Sequence, residues 1–545
     1  MVFCALAVVA GLALLFARRA EACTSFGVGR AATADGSVLV SHSVDGWYDH
    51  RVKFVPGGRF EAGQTTEIWG DPCIQTRPGV PYEKFGEIPQ AKRTWGYFHV
   101  GYPFMNEKGV VIGEHTWVGR ENAVCKAGMM HIANLQALGL QRASTAREAV
   151  KVMGELAERW GYRDIGEGLI VGDGQEVWIF EIAGPGADWT PESGRSGAHW
   201  VAVRMPDDAY FVGANRARIG AVDFSDSSNV MTSSGLTDYA KEKGWWDGRE
   251  PFSFAKTFDP RPADSPKAYS ARREWRAMSI LSPSGNWPVQ NDAVAYPIFV
   301  KPDAKLTVQD LMKLYGDHME GTPYDLTKGP AAGPFGNPSR WTVEQKALPD
   351  DLKGLDWERP ISIFRCSYSF VAQCRAWLPE PLKALLWLGL GATDTTVYAP
   401  IYCGATSLPE EWSRGARDRF DPNSAWWAFE FARNWACLRW DAMFKEITEA
   451  RQKLEQSYFD AQPGLERLAA EIAETSVESA RTFLTGYSST CLSDLSRRWW
   501  ALCWQLVGQY HSGMKVAEGV SQENLGYPID YLREVGFGST WRPGK

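Results

Sequence analysis

The amino-acid sequence predicts an α+β fold, and three observations predict it. Short alternating apolar and polar runs fill the stretch from 24 to about 202, and amphipathic helical patterns interrupt them without a regular strand-helix alternation. From roughly 423 onward the composition turns helical.

The strand signals come first, in SVLVSH (37–42), RVKFV (51–55), GVVIGEH (109–115) and EVWIFEIA (176–183). Their period of two places alternate side chains on opposite faces. Between them, TAREAVKVMGELAERW (145–160) repeats apolar residues at helical spacing and opens with Thr145 and Glu148 at capping-box distance. A second helix with a similar start begins at Thr307, in TVQDLMKLYGDHM. The Gly- and Pro-rich stretch between 320 and 360 reads as a long ordered loop, the kind of segment that often carries function. The run SAWWAFEFARNWACLRWDAMFKEITEARQKLEQ then opens a C-terminal helical addition.

At 545 residues the chain exceeds what one core usually organises, so one large domain with additions, or two to three domains, is expected. The boundaries drawn are a leader over 1–22, a main domain over 23–420 and a helical extension over 421–545. With 44% hydrophobic and 23% charged residues the composition is that of a globular protein, and no internal repeat is evident. A net charge of -7 and the lack of any basic run argue against a nucleic-acid partner. Twenty-five tryptophans would suit large interfaces or clefts, but taken alone they decide nothing.

An apolar run over 2–17 is followed by two arginines and then Ala20-Glu21-Ala22, a small-x-small ending that predicts signal-peptide cleavage before Cys23. The alternatives are a retained membrane anchor and a lipidated Cys23. Ten cysteines are present, and cleavage would remove Cys4. Apart from Cys23, the remaining eight (Cys73, Cys125, Cys366, Cys374, Cys403, Cys437, Cys491, Cys503) are an even number that an oxidising compartment could pair. Neither a repeated C-x-x-C nor H-E-x-x-H occurs, so no metal and no other cofactor is expected.

Once Cys23 is the first residue, its thiol and the new α-amine belong to the same residue, and nucleophile and general base arrive together. An amine with a pKa of about 7.7 to 8.0 can accept a proton near neutral pH, and a thiol of about 8.5 needs only modest help to ionise.

The opening CTSFGVGRAATADGSVLVSHSVDG, followed in order by EVWIFEIAGPG, HWVAVRMPDD, FVGANRARIG, TPYDLTKGPAAGPFG and ISIFRCSYSFVAQCRAWLP, resembles the C69 dipeptidase family. That family is a branch of the N-terminal nucleophile hydrolases related to penicillin V acylases and bile salt hydrolases. The resemblance spans most of 23 to about 410. It implies a four-layer αββα fold of two antiparallel sheets between helices, and hydrolysis of dipeptides or short peptides.

The resemblance also implies roles by position. Asp45 falls where relatives place an aspartate that holds the nucleophile's amine, a task suited to a carboxylate. His42 stands where many relatives carry arginine or lysine, which replaces a permanent cation by a group that titrates near neutrality. Asn215 matches a side-chain amide that stabilises an oxyanion, and Thr116 lies where bile salt hydrolases have an asparagine, so that only its N–H or hydroxyl would serve. Arg276 matches an arginine kept near the nucleophile, with Arg273 one turn before it.

The expected partner is therefore a dipeptide or short-peptide substrate, with no nucleic acid and no stable membrane partner once the leader is cleaved. A homo-oligomer and a secreted or lysosome-like location complete the expectation. The competing readings are an acylase or amidase acting on non-peptide amides, and an anchored binding protein without catalysis.

Overall fold

The structure is a computed structural model that describes residues 23–70, 83–263, 267–516 and 522–538. The leader and Cys73 lie outside these residues.

Valine-rich Val38–Asp45 is buried along its whole length and is central to a six-stranded sheet. It pairs antiparallel with Thr24–Val28 on one side and with Cys366–Cys374 on the other. Tyr210–Gly213 extends this sheet beyond Thr24–Val28, and Ala384–Leu390 and Ala399–Tyr402 extend the other edge. An eight-stranded sheet runs, in spatial order, through Val230–Thr232, His199–Arg204, Val177–Ala183, Gly166–Gly172, Val111–Trp117, Pro103–Asn106, Tyr97–His99 and Lys53–Val55. Every pairing between adjacent strands in both sheets is antiparallel.

Glycines allow the two sheets to meet face to face. A Cβ on Gly113 would lie 2.9 Å from the Ser41 carbonyl oxygen, and one on Gly172 would lie 2.5 Å from Val40. Both are closer than packed side chains tolerate. The expected strands are present, at Val38–Asp45, Lys53–Val55, Val111–Trp117 and Val177–Ala183.

Ala146–Trp160 forms the expected helix and packs on the eight-stranded sheet together with Ile132–Arg142. Its cap differs in detail from a reciprocal box. Thr145 Oγ1 accepts from Glu148 N at 3.2 Å, while the Glu148 carboxylate turns back to Ser144 N at 2.9 Å. The Thr307 start is reciprocal, with Asp310 accepting from Thr307 N at 2.8 Å, and Val308–Tyr315 ends at Gly316. Residues 320–360 contain only short turns of 3-10 helix.

The helical tail comprises Ala425–Ala436, Trp440–Thr475 and Val477–Gln509, which pack on one another and on the edge of the six-stranded sheet. Arg375 pairs with Glu466 at 2.6 Å and Trp412 Nε1 donates to Ser496 Oγ at 2.9 Å, so polar bonds as well as apolar contacts fasten it. The architecture is thus α+β, with antiparallel sheets and a helical C-terminal region. No helix among the described residues is long and apolar enough to cross a membrane.

The expectation of paired cysteines is not met among the described residues. Cys125, Cys366, Cys374, Cys403, Cys437, Cys491 and Cys503 are all free thiols. Most are buried in apolar surroundings, where a free cysteine behaves as a small hydrophobe.

Candidate functional site

Cys23 immediately precedes the first strand, and the register Thr24↔Ser43 puts it beside Val44 and Asp45 at the end of Val38–Asp45. The residue is fully buried, and its backbone carbonyl accepts from Arg273 Nη1 at 2.8 Å. The same guanidinium donates to Thr24 Oγ1 at 2.9 Å and to Asn215 Oδ1 at 2.8 Å. Tyr315 Oη donates to Thr24 O at 3.1 Å and completes the clamp on this chain segment.

The strands bring Cys23, His42 and Glu114 together, with one donor atom from each lying within 4.8 Å of the others. His42 Nε2 is 3.2 Å from Glu114 Oε2, near enough for charge attraction but not aligned as a hydrogen bond. Thr116 Oγ1 donates to Glu114 Oε1 at 2.8 Å. Glu167, opposite Thr116 on the neighbouring strand, interacts with Glu114 as well. Two buried carboxyls so close cannot both stay charged. Burial and the Glu114 charge push Glu167 well above the usual range, whereas His42 and hydrogen bonding hold Glu114 below it against its own burial.

Burial, Glu114, Asp45 and Glu167 together push the Cys23 thiol well above its ordinary value. The surroundings therefore oppose a thiolate and favour a cation. Asp45 is fully buried and pairs through Oδ2 with Arg359, while Oδ1 has no hydrogen-bond partner among the described residues. Burial raises its carboxyl above the usual range, partly offset by Arg359, Arg365 and Arg273.

Asn215 has a left-handed backbone with φ 63°, uncommon outside glycine and a mark of a position held by its surroundings. Its Nδ2 donates to Thr116 O at 2.6 Å. The segment after it is pinned by Glu274, which pairs with Arg216 and Arg218 and sits next to Arg273 in helix Tyr269–Leu281.

Two placements depart from expectation. Arg276 does not join Cys23: its guanidinium is bidentate on Asp317, with contacts of 2.6 and 2.9 Å, and also donates to Glu320 O. At about 100° per residue, three residues turn the helix by about 300°, so Arg273 and Arg276 point about 60° apart, and Arg273 takes the place beside Cys23. The Thr116 hydroxyl is likewise committed, its proton given to Glu114 and its backbone carbonyl taken by Asn215, so the hydroxyl is not a spare oxyanion donor.

Glu114, Glu167 and Arg359 were not singled out from the sequence. The one available signal was Glu114 and Glu167 as charged residues within otherwise apolar strand runs, GVVIGEHTW and GEGLIVG. Arg359 lies in the Gly- and Pro-rich loop and is brought to Asp45 only by the fold.

Fold and site together define an α+β protein whose two antiparallel sheets hold a buried, cysteine-centred polar cluster. The sequence profile of peptidase family C69 matches residues 22–453. A probable dipeptidase of Latilactobacillus sakei is 26% identical over 428 residues, covering 75% of this chain and 80% of that protein. A probable dipeptidase of Salmonella dublin is 27% identical over 391 residues, covering 70% and 81%. Dipeptidase A of Lactobacillus helveticus is 25% identical over 427 residues, covering 74% and 80%. The chain belongs to peptidase family C69 and is an enzyme, a peptidase.

Proposed function

We propose that this chain is a cysteine-type N-terminal nucleophile hydrolase that cleaves dipeptides, with Cys23 exposed by removal of residues 1–22. The dipeptidase names of its relatives support the substrate class. The facing sheets, with helices against both, support a four-layer αββα architecture.

The observation that carries the mechanism is the free Oδ1 of buried Asp45 next to Cys23. A buried carboxylate oxygen without a partner costs on the order of 1–3 kcal/mol or more, and a new α-ammonium at Cys23 would supply the missing donor. That ammonium also reverses the local field, because a cation beside the thiol offsets the carboxylates that otherwise disfavour its ionisation.

In the reaction the Cys23 thiol gives its proton to the α-amine and its sulfur attacks the peptide carbonyl. The amine then passes that proton to the leaving amino group, and a thioester forms. Water, deprotonated by the same amine, releases the acid. Asp45 orients the amine. Asn215, held by Arg273 and by the Thr116 carbonyl, would donate its second amide N–H to the oxyanion. His42 and Glu114 tune the charge beside the sulfur.

A leader that ends in Ala-Glu-Ala supports export through a secretory route. The test is intact mass and N-terminal sequencing of protein made with its own leader in a secretory host, combined with a dipeptide panel. A free α-amine on Cys23 together with dipeptide hydrolysis is expected. Full hydrolysis by a protein whose Cys23 amine remains acylated would overturn the mechanism, and hydrolysis confined to non-peptide amides would move the substrate to the acylase class.

A further inference from the structure

The Cys23 cluster contains a donor set whose convergence on one point peptide hydrolysis does not require. Cys23 Sγ, a His42 ring nitrogen and a Glu114 carboxylate oxygen all lie within 4.8 Å of one another, and all three side chains are fully buried. Neither ring nitrogen of His42, nor Glu114 Oε2, has a hydrogen-bond partner among the described residues. Polar atoms buried in this way normally find partners, and here one ring nitrogen and one carboxylate oxygen meet only as an ion pair beside the Cys23 sulfur, an arrangement that a shared ligand would complete. In a tetrahedral zinc site with Zn–S of about 2.3 Å and Zn–N and Zn–O of about 2.0–2.2 Å, donor atoms stand roughly 3.3–3.6 Å apart. The 3.2 Å between His42 Nε2 and Glu114 Oε2 is already close to that spacing.

The surroundings suit a cation. Glu114 is fixed from behind by the Thr116 hydroxyl at 2.8 Å and by Glu167, the kind of outer support that orients a metal-bound carboxylate. Asp45 and Glu114 add negative charge at the sulfur. Of the cations that act on this cluster, Arg273 is spent on the Cys23 carbonyl and Asn215, Arg359 on Asp45, and Arg365 also acts on Asp45. A thiolate beside a nitrogen and a carboxylate selects a thiophilic divalent ion of the zinc class over magnesium or calcium.

We propose that Cys23 Sγ, His42 Nε2 and Glu114 Oε2 form a binding site for a zinc-class divalent cation that competes with catalysis at the same sulfur. On binding, the S–H bond breaks, the proton leaves to solvent and the sulfur lone pair goes to the metal, with no change of oxidation state. The free α-amine of mature Cys23 can close a five-membered N,S chelate as the fourth donor. Inhibition, unlike binding, rests on the hydrolase reading above, because a metal-bound sulfur and amine are withdrawn as nucleophile and base.

The experiment uses the mature protein freed of metal by chelation. Zinc affinity is measured by competition with a chromophoric chelator, and cobalt is added as a spectroscopic probe. One equivalent of zinc with micromolar or tighter affinity, a thiolate-to-cobalt charge-transfer band, and loss of dipeptide hydrolysis on adding zinc that a chelator reverses are expected. His42→Gln and Glu114→Gln should each weaken zinc at least about 100-fold, the upper end of what even an outer-shell change costs, and Cys23→Ser should abolish the band. Cys503→Ala, remote from the cluster, should leave both intact. Should a variant fail to fold, the wild-type protein still decides: zinc must raise its melting temperature.

Absence of the charge-transfer band, or zinc affinity unchanged in a folded His42→Gln, overturns the site. The two readings fail separately. Metal binding in a protein that hydrolyses no dipeptide leaves the site and removes the hydrolase; vigorous hydrolysis unaffected by zinc leaves the hydrolase and removes the site.

Discussion

Two buried ionic clusters in this protein differ in one respect, whether their polar atoms are satisfied. In the first, around Asp394, every charge is met. His318 Nε2 lies 3.2 Å from Asp394 Oδ2 and Nδ1 lies 3.0 Å from Glu320, while Arg433 reaches both Asp394 oxygens at 3.2 and 3.1 Å. This network ties the C-terminal helix Ala425–Ala436 to the loop after Ala384–Leu390. In the second, around Cys23, His42 Nε2 and Glu114 Oε2 meet only as an ion pair at 3.2 Å, and His42 Nδ1 and Asp45 Oδ1 are buried without hydrogen-bond partners among the described residues. A completed network holds a fold together; an incomplete one of the same burial is costly unless a further partner supplies the missing bonds.

The comparison predicts opposite effects from removing one group on each side. Cys23→Ala should cut kcat by on the order of 10³-fold or more while leaving the melting temperature nearly unchanged, since alanine fills most of a small buried site. Retained dipeptide hydrolysis would break the contrast at its centre. Asp394→Ala should do the reverse. Leaving Arg433 and His318 as unpaired buried charges costs about 3–5 kcal/mol of stability, read by denaturant titration, with kcat per folded molecule preserved.

The satisfied cluster also sets a pH dependence. Asp394 and Glu320 raise the His318 pKa to about 9 against the burial that lowers it. Because the folded value lies above the unfolded value of about 6.5, its stabilisation is complete below that value and is lost as pH climbs towards about 9. The whole effect is about 3 kcal/mol on a scale of 1.36 kcal/mol per unit. Unfolding titrations of wild type and His318→Gln across that window should differ in slope, and parallel curves would remove His318 from the stability account.

The smallest effect sharpens the assignment within the unsatisfied cluster. Asp45→Asn keeps the shape but loses the charge, and should lower kcat about 100-fold with KM little changed, in keeping with a group that acts through the amine. A shift in the pH at which the Cys23 amine titrates would distinguish this positioning role from simple loss of the Arg359 pair.

Much of this was legible in the sequence where the physics is local. Val38–Asp45 reads as a strand from its own residues, and Thr307 and Asp310 announce a helix start four residues wide. The position of Cys23 after a small-x-small tripeptide likewise needs no fold to be noticed. Helix phase was less secure. Arg273 and Arg276 lie on the same helix three residues apart, and only the placement of Asp317 and Asn215 decides which of them serves Cys23.

The sequence by itself determined the secondary structure of the strand-rich part, the helical tail and the candidate nucleophile, because each depends on residues within a few positions. Only the tertiary structure decided what surrounds that nucleophile. His42, Glu114, Glu167, Asn215, Arg273 and Arg359 are scattered over more than half of the chain, and local spacing carries no information about contacts made by sheets laid face to face. The cysteines made the same point in reverse: the even count of eight besides Cys23 suggested pairing, but a disulfide requires two sulfurs to meet in space, and the seven of them that are described are all free thiols, six of them buried.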